Sequence, residues 1–318
     1  MKLTGAARLW LFHRFHGTEK SGALWHHRIP LTRILSHPGE DTLQNTSSYL
    51  RTAALTWLVL AWLMAAPARG AEAPDRANLT AQASTVTVAA AADLKFAMDD
   101  AVRQFAEAHP EITVTVTYGS SGSFFSQLSN GAPFDMFFSA DVDFPRRLAD
   151  AGLTLVNGEF LYAVGRIVLW VPRGSRLDVE RLGMATLKDA SIQHIAIANP
   201  RHAPYGRAAE AAMKSLGVYD EVQARLVLGE NVAQAVQFVQ SGAADVGIIA
   251  LSLAIAPTLQ PEGRYWEVPL GAYPRMEQGG VIMKSARNVE AARSFRDFVL
   301  SGAGRALLRR HGFLLPGE

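Results

Sequence analysis

Short apolar segments rich in β-branched residues alternate with segments of helical periodicity from residue 85 onward, and this alternation constrains the fold more than any other feature. "TVTVAAAA" (85–92) is typical of a buried strand. "DLKFAMDDAVRQFAEAH" (93–109) has apolar residues at positions 94, 98, 102 and 105, the spacing of an amphipathic helix, with Asp93 as a candidate N-cap. The alternation favours an α/β fold, in which a mainly parallel sheet is covered by helices on both faces.

The second half of the chain continues this alternation, beginning with "RIVLWVP" (166–172). The last helix follows the strand "GGVIMKSA" (279–286), which needs a partner sheet, and we place that sheet in the first of two lobes. The chain should then cross between the lobes near residue 164 and again near 251–270. The predicted divisions are 85–164 for the first part of lobe 1, 165–250 for lobe 2, and 251–318 for the second crossover and the return to lobe 1.

The N-terminal part contains a segment that we interpret as an export signal. "AALTWLVLAWLMAA" (53–66) is an apolar run of 14 residues interrupted by one threonine, and "APARGAEA" (66–73) follows with several small residues. The run is short for a membrane span and has the length of a signal-peptide core. We therefore expect a signal peptide at 51–73, with a buried core helix or an uncleaved anchor as alternatives. We expect residues 1–50 to be disordered or to reflect a mis-assigned start codon.

Charge and cysteine content exclude several classes of protein. Residues 1–70 hold eight of the 31 Lys and Arg and three of the 29 Asp and Glu, so the rest carries 23 basic and 26 acidic residues. This mildly acidic body has no basic face for nucleic acid. The absence of cysteine excludes disulfides, thiolate metal sites and the lipid anchor of a bacterial lipoprotein. An exported chain of this kind should be free in the periplasm, and we expect a monomer.

Four junctions between a strand and a helix have the chemistry of an anion site. Helix N-termini leave backbone N–H groups unpaired and carry a partial positive charge. In open α/β sheets, ligands bind at the carboxyl ends of the strands. Four helix starts in one cleft would therefore bind an anion without Lys or Arg. The junctions are "AAAADLK" (89–95), "YGSSGSF" (118–124), "ANPRHAPYGRA" (198–208) and "LGENVAQAV" (228–236).

Each junction also has a plainer interpretation. Gly-Ser-Ser-Gly is a common turn sequence, and Tyr205 in "NPRHAPYG" is equally well explained as a residue that packs on a neighbour in a rigid turn. Asn231 in "GENVAQ" is better explained as a helix cap than as a ligand. Val232 has no side-chain donor, so only its backbone N–H is available. It is the combination of the four, in order, that indicates a binding site.

From about residue 85 to 313 the chain resembles the periplasmic molybdate-binding proteins of ABC transporters. The matching segments are "AAAADL", "YGSSGS", "NGAPFDMFFSAD", "ANPRHAPYGRAA", "GENVAQAV", "GAADVGII" and "RRHGF". The resemblance implies a two-lobed, type II periplasmic-binding-protein fold with the ligand cleft between the lobes. It also implies molybdate or tungstate as ligand, no cofactor, and an inner-membrane permease with its ATPase as partners.

The resemblance further implies which groups bind the oxyanion: Ser121 through its hydroxyl and N–H, Tyr205 through its hydroxyl, and Val232 and Asp93 through their backbone N–H. Asp93 stands where the family usually has Ser or Thr. Because a carboxylate repels a dianion, we expect its side chain to turn back and cap its own helix. A tyrosine that many members have near the second crossover is Ala250 here, and we expect Tyr205 to replace it. No side chain should bind molybdenum directly.

Three other functions have less support in the sequence. An enzyme is disfavoured, because the chain has no GxSxG, HExxH, Walker A or GxGxxG motif and the histidine of "RRHGF" is isolated. A binding protein for sulfate, phosphate, ferric iron or a small organic acid is the stronger rival, with Arg207 as the candidate clamp for an organic acid. The ligand domain of a transcription regulator shares this kind of fold, but the signal peptide and the missing DNA-binding helices argue against it.

Overall fold

The computed structural model describes residues 84–318, which form two five-stranded sheets flanked by helices. The first sheet has the order β2-β1-β3-β10-β4 and defines the first lobe. Its strands are β1 (Ser84–Ala91), β2 (Ile112–Gly119), β3 (Met136–Ser139), β4 (Phe160–Gly165) and β10 (Met276–Ile282). The second sheet has the order β7-β6-β8-β5-β9 and defines the second lobe. Its strands are β5 (Ile167–Pro172), β6 (Ile195–Ala198), β7 (Leu226–Gly229), β8 (Val246–Ala250) and β9 (Gly263–Glu267).

The α-helices of the described part follow most of the strands, as the alternation predicts. They are α1 (Lys95–Ala108), α2 (Ser121–Ser129), α3 (Asp143–Asp150), α4 (Val179–Leu182), α5 (Pro204–Ser215), α6 (Tyr219–Val222), α7 (Val232–Gln240), α8 (Leu251–Ala254), α9 (Val289–Leu300) and α10 (Gly302–Arg310). Pro204 occupies the first position of α5, where its missing N–H costs nothing. The long helices α9 and α10 return to the first lobe and pack on α1.

Strand directions in the two sheets follow the same rule. In the first sheet β1 pairs in parallel with β2 and β3, whereas β10 is antiparallel to both β3 and β4. In the second sheet β6 pairs in parallel with β7 and β8, whereas β5 is antiparallel to both β8 and β9. Four strands of each sheet therefore run one way and one runs against them, so the prediction of mainly parallel sheets is confirmed.

The reversed strand of each sheet is the one that the chain enters after crossing between the lobes. The first crossing is at Arg166, between β4 and β5, and the second lies between β9 and β10, at residues 268–275. The predicted end of lobe 2 at residue 250 is therefore wrong. The chain stays in the second lobe for β9, because β9 pairs with β5 from Gly263 to Glu267.

The first sheet is buried on both faces, which explains the nearly continuous apolar run in β1. Val86, Val88 and Ala90 pack on one face with residues of α1, α9 and α10. Ala89 points to the other face, where it packs with Phe124 and Phe137 and with residues of α3. The sheets thus fix the carboxyl ends of their strands, from which the helix starts of the predicted site project.

The predicted extension at 1–50 and the signal peptide at 51–73 lie outside the described residues. Within residues 84–318, no helix has the length and apolar character needed to cross a membrane.

Candidate functional site

The four predicted junctions meet at one small cavity between the lobes, and all four predicted ligand residues line it. Its volume is about 10 Å³. The lining residues are Ala91, Ala92, Asp93, Gly119, Ser120, Ser121, Ala140, Ala203, Pro204, Tyr205, Asn231 and Val232. None of them is a Lys, Arg or His.

The size of this cavity limits what it can hold. A volume of about 10 Å³ is close to the least that a single water molecule needs. In this arrangement the cavity therefore has room for about one water-sized group. A larger ligand enters when the lobes separate, and the residues that hold the lobes together are therefore part of the site.

Ser121 presents two hydrogen-bond donors at the start of α2. Its residue is buried, and its Oγ accepts the backbone N–H of Ala140 at 3.0 Å. Within residues 84–318 neither its hydroxyl proton nor its backbone N–H is used in a hydrogen bond. The N–H is one of the helix-start donors that have no partner inside the helix. Both donors are thus available to an anion in the cavity.

Val232 is the first residue of α7, and the preceding residue caps that helix. The side chain of Asn231 accepts the N–H groups of Ala233 at 3.0 Å and Gln234 at 3.1 Å. This confirms the interpretation of Asn231 as an N-cap. No hydrogen bond in the described part of the chain uses the N–H of Val232, so this donor is also available at the cavity.

Asp93 does not cap its own helix, and this part of the prediction is wrong. It lies inside a 3₁₀ turn, Ala92–Leu94, and no side chain caps that turn or α1. Its Oδ2 accepts the Tyr205 hydroxyl at 2.9 Å and the Nε2 of Gln278 at 2.7 Å. Since only 1% of Asp93 is exposed, its carboxylate needs donors from within the protein, and these two come from other elements.

The environment of Asp93 changes its acidity. Burial raises the pKa of its carboxyl from 3.8 to about 6, although the hydrogen bonds from Gln278 and Tyr205 lower it. The nearby backbone amides of Asp93 and Leu94 also lower it, although neither makes a hydrogen bond to the carboxyl in this structure. Burial, together with the negative charge of Asp93, raises the pKa of Tyr205 and of Tyr162 well above 10. Both tyrosine hydroxyls therefore keep their protons at neutral pH.

Tyr205 is buried at the cavity, and its hydroxyl donates a hydrogen bond to Asp93. The same oxygen accepts the Nε2 of Gln278 at 3.2 Å. A glycine at 165 makes this packing possible, because a Cβ there would lie 2.6 Å from the Tyr205 oxygen. That the hydroxyl of Tyr205 donates to the ligand remains a prediction. It requires this hydroxyl to turn its O–H from Asp93 toward the ligand.

A cluster of polar residues holds the lobes together beside the cavity, and we call it the His202 latch. The carbonyl oxygen of His202 accepts the N–H of Gly122 at 2.9 Å and the hydroxyl of Ser120 at 2.8 Å. Nδ1 of His202 lies 3.0 Å from the same hydroxyl, and Ser123 donates to Glu230 at 2.6 Å. The backbone of α2 and the loop before α5 therefore touch directly.

Two other predicted positions lie away from the cavity. Arg207 forms an ion pair with Asp141 and lines a neighbouring groove of about 580 Å³. It does not line the small cavity, so it offers no clamp there for an organic acid. Ala250 is fully buried at the end of β8 and is not part of the cavity wall.

Sequence reasoning missed Gln278, Ser252 and the His202 latch. Gln278 is a fully buried amide in the middle of β10, and a polar residue in "MEQGGVI" was the available signal. Ser252 donates to the carbonyl oxygen of Asp93 at 2.7 Å. Among residues 84–318, no group of three or more His, Asp or Glu side chains is placed to hold a metal ion.

Residues 86–314 match the model of a protein family that is described as "bacterial extracellular solute-binding protein". This range covers both lobes and every junction at the cavity.

The chain belongs to the bacterial extracellular solute-binding proteins.

Two relatives of the chain carry a more specific name. The chain is 36% identical over 233 residues to a molybdate-binding protein of Azotobacter vinelandii, covering 73% of this chain and 91% of the relative. It is also 36% identical over 202 residues to a molybdate-binding protein of Rhodobacter capsulatus, covering 64% and 77%. The solved structure of the Azotobacter vinelandii periplasmic molybdate-binding protein superposes with a TM-score of 0.68 at 33% identity, covering 73% of this chain and 99% of that one. The expected two-lobed fold is thereby confirmed.

Proposed function

We propose that this solute-binding protein binds molybdate, or tungstate as its close chemical analogue, between its lobes and delivers it to an ABC import permease. One observation carries the proposal: helix starts from both lobes contribute donors to a single small cavity whose wall contains no Lys or Arg. The two relatives named as molybdate-binding proteins support the choice of oxyanion.

The available donors suit a fully ionised tetrahedral anion. The hydroxyl and N–H of Ser121 and the N–H of Val232 are neutral groups at helix starts, where the helix dipole favours negative charge. Each hydrogen bond to an ionised group contributes about 1.5–3 kcal/mol. Three or more such bonds hold an anion without a buried countercharge, whose desolvation would be costly.

The same donors would reject other oxyanions. An anion that keeps a proton at neutral pH, such as phosphate, brings a donor to a position where the site offers donors as well. Sulfate is fully ionised but smaller than molybdate, so a rigid cavity would leave some of its hydrogen bonds stretched. Both mismatches leave buried polar groups poorly paired, which is an effective source of specificity.

The two lobes support the proposed transport role. A cleft between two lobes gives an open and a closed arrangement, and a permease distinguishes loaded from unloaded protein by the closed one. In this proposal the protein acts as a periplasmic monomer, without a cofactor and without enzymatic activity. Its membrane partners are a permease and the ATPase of that permease.

A thermal-shift series tests the proposal. The purified protein is unfolded and refolded to remove bound ligand, and molybdate, tungstate, sulfate, phosphate and ferric citrate are then added separately. A ligand at about 100 times its dissociation constant stabilises the folded state by about 2.7 kcal/mol, which is a visible rise in Tm. We expect this rise with molybdate and tungstate only.

Other results in this series would change the proposal in different ways. A rise with sulfate, phosphate or ferric citrate instead would retain the transport role and overturn the substrate. No rise with any of the five would contradict oxyanion binding and direct attention to organic acids in the groove beside Arg207.

A further inference from the structure

The buried carboxyl of Asp93 conflicts with the binding of a dianion in the same cavity. Asp93 lines the cavity and is 1% exposed. Its contacts are with neutral groups: the Tyr205 hydroxyl and the Nε2 of Gln278. An ionised Asp93 would place two like charges together in a cavity from which water is largely excluded, and this repulsion is strong at low dielectric.

The hydrogen bonds of the two carboxyl oxygens are unequal. Oδ2 accepts both donors, at 2.9 Å and 2.7 Å. Oδ1 is buried and has no hydrogen-bond partner among the described residues. In a carboxylic acid one oxygen is an acceptor and the other carries the O–H donor. Because Oδ2 already accepts two hydrogen bonds, Oδ1 is the oxygen that would carry the proton of a neutral carboxyl.

The groups that face Asp93 from the neighbouring elements do not supply a positive charge. Tyr205 comes from α5, Gln278 from β10 and Ser252 from α8. Tyr162 in β4 lies close enough for the charge of Asp93 to raise its pKa, and Tyr273 similarly lies near Tyr205. Lys95, the nearest cation along the chain, pairs with Asp99 in a partly exposed ion pair. The tyrosines are neutral, so protonation is the remaining way to remove the charge.

We propose that Asp93 takes part in oxyanion binding as a neutral carboxylic acid, with its proton on Oδ1 donated to the ligand, so that the protein binds one proton together with each oxyanion. This inference rests on the proposed function. The proton comes from solvent when the lobes are open and returns to solvent when the ligand leaves.

Proton-coupled binding makes affinity depend on pH. In the closed, ligand-free arrangement burial raises the pKa of this carboxyl to about 6, and exposure to water in the open arrangement lowers it. In both arrangements the neutral form is scarce at pH 8. The apparent affinity scales with the population of the competent form, so between pH 6 and pH 8 the affinity for molybdate or tungstate should fall about 50- to 100-fold.

Isothermal titration calorimetry of the full chain, stripped of ligand, tests the inference with molybdate and with tungstate at pH 6, 7 and 8. Each titration is repeated in two buffers of different ionisation enthalpy, which gives the number of protons taken up. We expect uptake of about one proton per oxyanion at pH 8, as linkage requires when the bound form is protonated and the free form is not.

The matched control is Asp93→Asn, whose amide supplies an acceptor and a donor without titrating. It should bind with little pH dependence and no proton uptake. Asp93→Ser is a second control with a neutral donor, in case the amide disturbs folding. The number of protons that the wild type takes up on binding can be measured even if neither variant folds.

The outcomes separate this inference from the proposed function. Wild-type affinity that is constant from pH 6 to 8 without proton uptake, or an Asp93→Asn variant with the wild-type slope, would overturn the proton-coupled role. Failure of the wild type and both variants to bind either oxyanion at any of these pH values would overturn the proposed function itself.

Discussion

The hydroxyl of Tyr205, in the second lobe, donates a hydrogen bond of 2.9 Å to Oδ2 of Asp93, in the first lobe. The two residues are 112 positions apart in the chain and belong to different junctions of the cavity. Their contact joins closure of the lobes to the protonation of a buried carboxyl, because any change that separates the lobes removes a donor from Asp93.

Tyr205→Phe removes this donor and leaves Gln278 as the side chain bonded to Asp93. The unfolding free energy should fall by about 1–2 kcal/mol, and the pKa of Asp93 should rise above 6, because one hydrogen bond that lowers it is lost. Urea denaturation and NMR titration of the carboxyl measure the two effects. Tyr162→Phe is the control: it loses a buried hydrogen bond to the Ser139 carbonyl instead. An unchanged Asp93 titration in Tyr205→Phe would contradict the assignment of this bond.

Ser121→Ala should weaken binding of molybdate by about 1.5–3 kcal/mol, since the anion loses a hydroxyl donor. It should also lower the unfolding free energy by about 1–3 kcal/mol, because the buried N–H of Ala140 loses its acceptor. Calorimetry and denaturation separate these losses. Ser126→Ala, at an exposed position of the same helix, should change neither. Full affinity in the Ser121 variant would remove that hydroxyl from the site.

Gly122→Ala should prevent the lobes from closing fully. A Cβ at this position would lie 2.5 Å from the carbonyl oxygen of His202, so the backbones of the His202 latch could not approach. We expect at least about a tenfold loss of oxyanion affinity, equal to about 1.4 kcal/mol, with little change in unfolding. Small-angle scattering with ligand should show a more open particle. Gly174→Ala, where the Cβ meets open space, is the control. Wild-type affinity in Gly122→Ala would show that this contact is not needed for closure.

Asp93 should also make the stability of the ligand-free protein depend on pH. Its pKa is raised from 3.8 to about 6, so between these values the folded state binds a proton that the unfolded state releases. Stability therefore falls as the pH rises from about 4 through 6. The shift corresponds to about 3 kcal/mol at pH 7.

Comparison of the wild type with Asp93→Asn isolates this group. The difference in unfolding free energy between the two proteins should change by about 2.4 kcal/mol between pH 4 and pH 7.5, with the variant gaining relative to the wild type as the pH rises. Urea midpoints at four pH values measure it. A constant difference would mean that the carboxyl titrates alike in folded and unfolded chains.

Local rules were sufficient where the partners are close in sequence. The alternating pattern predicted β1, and the N-cap at Asn231 was predicted because its partners, Ala233 and Gln234, follow within three residues. Other features depend on distant partners. The capping rule failed at Asp93, because a buried carboxylate bonds the strongest donors in reach, and these lie 112 and 185 residues further along the chain.

Strand boundaries were least predictable where apolar residues run on without a break. β4 has no counterpart among the predicted strands, because Arg166 alone separates it from β5. In "VQARLVLG" (222–229) the strand β7 begins only at Leu226, since Val222 ends the short helix α6 and packs in the core as a helical residue. In both segments tertiary packing decides where hydrogen bonding to a neighbouring strand starts. A local sequence pattern carries no information about that packing.

Because β10 lies inside the first sheet, we expect the two lobes to fold in a definite order. The second sheet is built from one continuous stretch, Ile167 to Glu267, whereas β4 in the first sheet pairs with no strand of residues 84–318 other than β10. As a hypothesis, the second lobe folds first, and β4 becomes hydrogen-bonded only after the last part of the chain has reached the first sheet. Pulse-labelling hydrogen exchange during refolding would refute this order if the amides of β4 were protected before those of β10. The cavity, which needs both lobes, is then the last feature of the molecule to form.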